Sequence, residues 1–142
     1  MATKLTVEEN AILVEVLHHF DREGRWPERR QFRVQHEDAW ETLERLRRYG
    51  MLEDMNDCYS ITRWSLPKIE SEPATRIRSA LGAVLNALAA EWRQHPSEDA
   101  AVMLPAVTAA TSLGEAEVRR AAALGAALGF AFRWIPAAGK FM

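Results

Sequence analysis

The chain has 142 residues, of which 48% are hydrophobic and 27% charged, and its formal net charge at pH 7 is −2. This composition excludes a chain that is disordered throughout, and the length suits one compact domain or two modules of about 70 residues each. The single cysteine, Cys58, excludes an intramolecular disulfide framework and a zinc site built on several thiolates.

The first element in chain order is a predicted helix that begins after Thr6. Glu9 stands three residues after Thr6, which is the spacing of a capping box, and Gly24 ends the helix. The helical stripe of apolar residues consists of Ile12, Leu13, Val16, Leu17 and Phe20.

Two shorter helices and a hairpin are predicted to follow. The helices cover residues 28–35 and 37–49, and Trp40 in the second of them stands at a position compatible with the core. Residues 51–64 contain two β-capable runs around Asn56-Asp57, which predicts a β-hairpin.

Residues 67–73 are predicted to be a linker, because Pro67 and Pro73 enclose a short stretch with Ser and Glu. They separate a module over residues 1–66 from one over 74–142.

The second module repeats the order of the first. Its predicted elements are a long helix from Pro73 to His95, a strand over 101–104, a helix over 106–110, a helix over 115–128, a strand over 130–135 and a return strand over 140–142.

We interpret both halves as following the order helix, short strand, helix, turn, helix and two-stranded hairpin, with the short strand assigned to particular residues only in the second half. This order resembles the winged helix-turn-helix. The strongest match is Leu104–Arg120, where a Thr-Ser-Leu turn precedes a helix that begins with Glu-Ala-Glu-Val-Arg-Arg. In the first half the match covers Trp40–Asp54, with Tyr59–Thr62 as the returning strand. The resemblance implies a mainly α fold with short β-hairpins, built as two winged-helix-like modules in tandem.

Because winged helices often bind DNA, the resemblance implies a small regulator that binds DNA, alone or as a dimer. Such binding needs hydrogen-bond donors for base edges and basic side chains for phosphates. The candidate nucleic-acid-binding residues are Arg119, Arg120 and Arg133 in the second half and Arg45 and Arg48 in the first.

Carboxylates on the same helix weaken the case for DNA contact by the first half. Arg45 and Arg48 stand four residues after Glu41 and Glu44, so we expect i,i+4 ion pairs between them. The second half has only Glu115 and Glu117 near its arginines, so Arg119 and Arg120 are expected to carry more of any DNA binding than Arg45 and Arg48.

A protein-interaction adaptor is the alternative interpretation. The helix over 115–129 is rich in alanine and glycine, and only one side of it is needed for the core of its own module, through Val118, Ala121, Leu124 and Leu128. The surplus small residues could face the other module, a second copy or another partner protein. The candidate interface residues are Ala123, Ala127 and Trp134.

The sequence predicts a protein that is not an enzyme and that has no cofactor and no metal site. His18, His19, His36 and His95 have no ligand-like spacing to one another or to Cys58. A glycine-rich phosphate loop and a nucleophile elbow are also absent from the sequence.

The sequence further predicts a cytoplasmic protein with no membrane partner. No apolar run reaches the roughly 18 residues that a membrane helix needs, and the first residues lack the apolar region of a signal peptide.

Overall fold

The structure is a computed structural model that describes residues 4–96, 101–130 and 132–142. Within these residues the protein is mainly helical with two small antiparallel sheets, as predicted. The chain divides into two compact units, Met1–Thr75 and Arg76–Met142.

The first unit has three helices followed by a hairpin. Its elements are α1 (Val7–Glu23), α2 (Arg29–Gln35), a 3-10 turn (Glu37–Ala39), α3 (Trp40–Arg48), β1 (Leu52–Met55), β2 (Cys58–Ile61) and a second 3-10 turn (Leu66–Lys68). The hairpin agrees with the sequence-based prediction, whereas the predicted third helix is divided into the 3-10 turn and α3.

The predicted capping box of α1 is confirmed. The Thr6 hydroxyl accepts a hydrogen bond from the Glu9 backbone N–H at 3.1 Å, and the Glu9 carboxylate accepts one from the Thr6 N–H at 2.8 Å. Gly24 ends the helix at φ +71°, a conformation that a residue with a Cβ rarely adopts. All five residues of the predicted apolar stripe are buried.

The hairpin of the first unit is closed by two residues with positive φ, Asn56 at 50° and Asp57 at 64°. This geometry matches the twist of the flanking strands and favours Asn and Asp. β2 also pairs with the segment just before α2, through a bridge between Cys58 and Glu28. The last strand of the unit therefore lies between β1 and this extended segment.

The chain after β2 packs against α1. Leu66 and Ile69 are buried. Asn10 forms two hydrogen bonds with the backbone of Glu70, one to the carbonyl at 2.9 Å and one from the N–H at 2.7 Å.

The second unit repeats this order of elements around a three-stranded sheet. The elements are α4 (Glu72–Gln94, which begins in the first unit), β3 (Val102–Met103), α5 (Leu104–Thr111), α6 (Glu115–Ala127), β4 (Trp134–Ile135) and β5 (Lys140–Phe141). The strand order is β3-β5-β4, and both pairings are antiparallel. The last strand therefore again lies in the middle.

The predicted strand over 130–135, which includes residue 131 outside the described residues, is longer than the observed strand. β4 covers only Trp134 and Ile135, although Arg133 also exchanges two backbone hydrogen bonds of 2.9 Å with Met142. The difference has a packing reason, because the Phe132 ring fills the core beside Gly125 of α6. Phenylalanine is typical of strands, but the sequence alone does not show that this ring packs onto a helix.

The α6 helix buries more of its surface than the sequence predicts. Of the four residues predicted to face the core, Val118, Ala121 and Leu124 are buried, whereas Leu128, just after the end of the helix, is half-buried. Ala122 and Gly125 are buried as well. Part of the alanine and glycine surface of α6 therefore packs within the second unit and is not accessible to a partner protein.

Candidate functional site

Arg119 joins α6 to the hairpin of the second unit. Its Nε donates a hydrogen bond to Glu115 at 3.0 Å, and its Nη1 donates one to the carbonyl oxygen of Pro136 at 3.2 Å. The guanidinium carbon also lies 5.8 Å from the ring centroid of Trp134. Arg119 therefore holds the hairpin turn against the helix, and its charge is partly neutralised by Glu115.

Arg120 and Arg133 present exposed side chains from the same unit. Within the part of the chain that the structure describes, neither forms an ion pair. Arg120 lies on α6, one residue after Arg119, and the backbone of Arg133 is fixed by its two hydrogen bonds to Met142. These two guanidinium groups are available for an anionic partner.

Arg45 of the first unit pairs with α1 and not within its own helix. Its Nε donates to the Glu9 carboxylate at 3.1 Å. Burial raises the pKa of Glu9, but the hydrogen bonds from Thr6 and Arg45 outweigh this effect and hold the pKa below its ordinary value. The predicted pair between Arg45 and Glu41 is wrong, because packing of α1 against α3 brings a more buried carboxylate to Arg45.

The prediction that Glu44 pairs with Arg48 is wrong, because the Glu44 carboxylate pairs with Arg47, at 3.0 Å. Arg47 also lies 3.6 Å from Asp54, a carboxylate that forms a 2.7 Å contact with Arg29. Arg48 is exposed and forms no ion pair among the described residues.

The candidate interface residues differ in how much surface they offer. Ala127 is exposed, whereas Ala123 is half-buried. Trp134 packs against Phe141 at a ring-centroid distance of 4.7 Å and borders the core of the second unit.

Sequence reasoning missed an exposed aromatic site in the first unit. Trp40, predicted at a core position, is 45% exposed, because α3 begins at this residue and turns Leu43 and Leu46 inward. The Arg33 guanidinium carbon lies 4.1 Å from the centroid of the Trp40 ring. The sequence did contain a signal for this site, because Phe32 is the large apolar residue of its helix that faces the core. Successive residues of a helix point in different directions, so Arg33 and Val34 are expected to lie away from the core.

A groove between α2 and α3 surrounds this pair. Its volume is about 520 Å³, and its lining includes Arg30, Arg33, Val34, Trp40 and Leu43. Val34 is 69% exposed although it is apolar, whereas Leu43 is fully buried. The groove thus combines an apolar surface with three arginines, of which Arg29 is paired with Asp54, and it is also lined by Glu37.

Within the described residues, no cluster of His, Cys, Asp and Glu could hold a metal ion. No helix in the described ranges combines the length and the apolar character needed to cross a membrane.

Comparisons with protein-family models, with curated proteins and with solved structures find no match to this chain.

Proposed function

We propose that both units are winged-helix modules and that the protein is a small regulator that binds DNA through its second unit. The strand arrangement supports the first part of this proposal. In each unit, the last strand lies between the first strand of the hairpin and an extended segment that precedes the second helix. The helix order around these strands is also the same in the two units.

The distribution of charge favours the second unit as the one that contacts DNA. Residues 76–142 carry seven Lys and Arg against five Asp and Glu, a balance of +2, whereas residues 1–75 carry 11 against 15, a balance of −4. A duplex is a dense row of phosphates, so the first unit would be repelled on average and the second attracted.

The observation that carries the proposal is the exposure of Arg120 on α6 and Arg133 beside the hairpin. In a winged helix these are the two elements that approach DNA, the recognition helix and the wing. Besides Glu115, which pairs with Arg119, the other exposed positions of α6 are Ala116, Ala126 and Ala127, which offer no hydrogen bond to a base edge. We therefore expect binding that depends mainly on phosphates, with low sequence specificity and a strong salt dependence.

The double replacement Arg120→Ala and Arg133→Ala is expected to weaken binding to a mixed-sequence duplex. Loss of two phosphate contacts should lower the slope of log affinity against log salt by about 0.9 for each contact. Mobility shifts measured over a series of salt concentrations give both the affinity and the slope.

The matched control replaces two exposed arginines of the first unit, Arg22 and Arg48, so that the net charge changes equally. This control should retain the affinity and the salt slope of the unmodified protein. An unchanged slope in the Arg120/Arg133 variant, or an equal loss in the control, would contradict the assignment of DNA binding to the second unit.

A protein-interaction adaptor is the second candidate function, and the alanine surface of α6 favours it. Ala116, Ala126 and Ala127 are exposed and Ala123 is half-buried, so another backbone could approach this helix closely. The simplest partner is a second copy of the chain. Ala123 and Ala127 stand three and seven residues after Arg120 and share its helix face, so this dimer would compete with DNA for that face.

Ala127→Arg and Ala123→Arg are expected to abolish such a dimer, because each places a long charged side chain in the contact. Light scattering over a range of protein concentrations measures the mass of each variant. Ala109→Arg is the control, since Ala109 is also exposed but lies on α5. A monomeric mass for the unmodified protein at every concentration would rule out the dimer.

A further inference from the structure

We infer that the groove between α2 and α3 in the first unit is a docking site for a segment of a partner protein that carries an apolar side chain next to a carboxylate. This inference goes beyond the proposed DNA binding, because it concerns the first unit, whereas the proposed DNA contacts lie in the second unit.

The apolar part of the site is Trp40 together with Val34. Trp40 is 45% exposed and Val34 69% exposed, and the buried Leu43 also lines the groove. The stack of Arg33 on Trp40, at 4.1 Å, holds both side chains in place before a partner arrives. Trp and Arg are the residue types most enriched at the energetic centres of protein interfaces, and prior ordering lowers the entropy lost on binding.

The cationic part of the site consists of Arg30 and Arg33. Neither forms an ion pair in the described part of the chain, whereas Arg29, which also lines the groove, is held by Asp54 at 2.7 Å. A carboxylate of a partner could accept charge-assisted hydrogen bonds from the two unpaired guanidinium groups while its apolar neighbour covers Trp40.

The surroundings of the groove favour a peptide over a nucleic acid. A second depression of about 380 Å³ adjoins it, shares Val34 and Glu37 with it, and is lined also by Glu8 and Asp38. A continuous polyanion that followed this surface would meet these carboxylates. A protein segment can place one acidic residue at the arginines and neutral residues near Glu8, Glu37 and Asp38, so it meets less repulsion than a polyanion does.

The test uses the full chain and a random peptide library displayed on phage. The peptides that are selected should combine an aromatic or aliphatic residue with an adjacent Asp or Glu. Trp40→Ala should weaken their binding about thirtyfold, as truncation of an interface tryptophan does, and Arg33→Glu should weaken it at least as much. Fluorescence anisotropy of labelled synthetic copies of these peptides measures the affinities.

The chain offers a matched control, because Arg63 stacks on the exposed Trp64 at 4.9 Å and neither residue lines the groove. Trp64→Ala and Arg63→Glu should leave peptide binding unchanged. Val34→Asp, at a highly exposed position, should remove binding without loss of folding, which a thermal melt verifies. The double variant Arg120→Ala and Arg133→Ala should bind the peptides as the unmodified protein does. A failure of peptide binding to the groove can therefore be distinguished from a failure of DNA binding by the second unit.

Three results would overturn the inference. The library could yield no peptide that prefers the unmodified protein to Trp40→Ala, or the selected peptides could lack carboxylates. A mixed-sequence single-stranded oligonucleotide could also bind in a way that is lost in Trp40→Ala and kept in Trp64→Ala, which would assign the groove to nucleic acid.

Discussion

Replacement of Phe141 by alanine is expected to lower the free energy of unfolding of the second unit by about 3–5 kcal/mol. Phe141 has no exposed surface and lies in β5, the central strand of the sheet. Its ring centroid is 5.5 Å from that of Phe132 and 4.7 Å from that of Trp134, so truncation leaves a cavity next to two aromatic rings. A loss of this size is a large part of the total stability of a small domain.

Urea-induced unfolding followed by circular dichroism measures this effect. The control is Met142→Ala, since Met142 is the neighbouring residue, forms the backbone hydrogen bonds to Arg133 and is 39% exposed. It should cost less than about 1 kcal/mol, as most surface replacements do. Equal losses in the two variants would show that this ring is not a centre of the core.

Replacement of Gly125 by valine is expected to destabilise the second unit by about 1–3 kcal/mol through overpacking. A Cβ at this position would lie 2.6 Å from Cζ of Phe132 and 3.0 Å from Cδ1 of Leu81. Phe132 is buried and cannot move without disturbing its contact with Phe141. The clash outweighs the modest gain in helix propensity that valine has over glycine.

Gly82→Val is the matched control for this effect. Gly82 also lies within a helix, α4, but a Cβ there would meet no atom within 4 Å. In thermal melts, Gly125→Val should lower the melting temperature of the second unit. Gly82→Val should raise it or leave it unchanged. A Gly125→Val protein that melts at the temperature of the unmodified chain would show that the helix and the Phe132 ring are not in close contact.

The elements that the sequence predicts well are those with local signals. The capping box of Thr6 and Glu9 and the turn at Asn56-Asp57 depend on residues at most three positions apart, so their geometry is encoded in short segments. The positions of the long helices α1 and α4 follow from apolar periodicity, whereas the predicted third helix of the first unit is divided into a 3-10 turn and α3.

The ion pairs and the exposed aromatic site could not be predicted so well, because they depend on how distant segments pack. Arg45 meets Glu9 across 36 positions of sequence, while the local partner Glu41 is not used. Trp40 lies at a helical position that suits the core, yet the start of α3 and the stack with Arg33 place it at the surface. An amphipathic pattern cannot decide between these two outcomes for the first residue of a helix.

The attachment of Arg119 to Glu115, Pro136 and Trp134 has a consequence for the entropy of association. The turn over 136–139 is attached to α6 at its first residue, where the Pro136 carbonyl accepts the hydrogen bond from Arg119, before any partner arrives. Ordering the backbone of a residue costs about 1–2 kcal/mol, so a hairpin that had to be ordered on binding would lose up to about 4–8 kcal/mol at this turn. If the second unit binds DNA as proposed, the attached turn reduces this loss. The heat capacity change of binding should then reflect mainly the removal of water from surfaces that already exist, with little contribution from coupled folding.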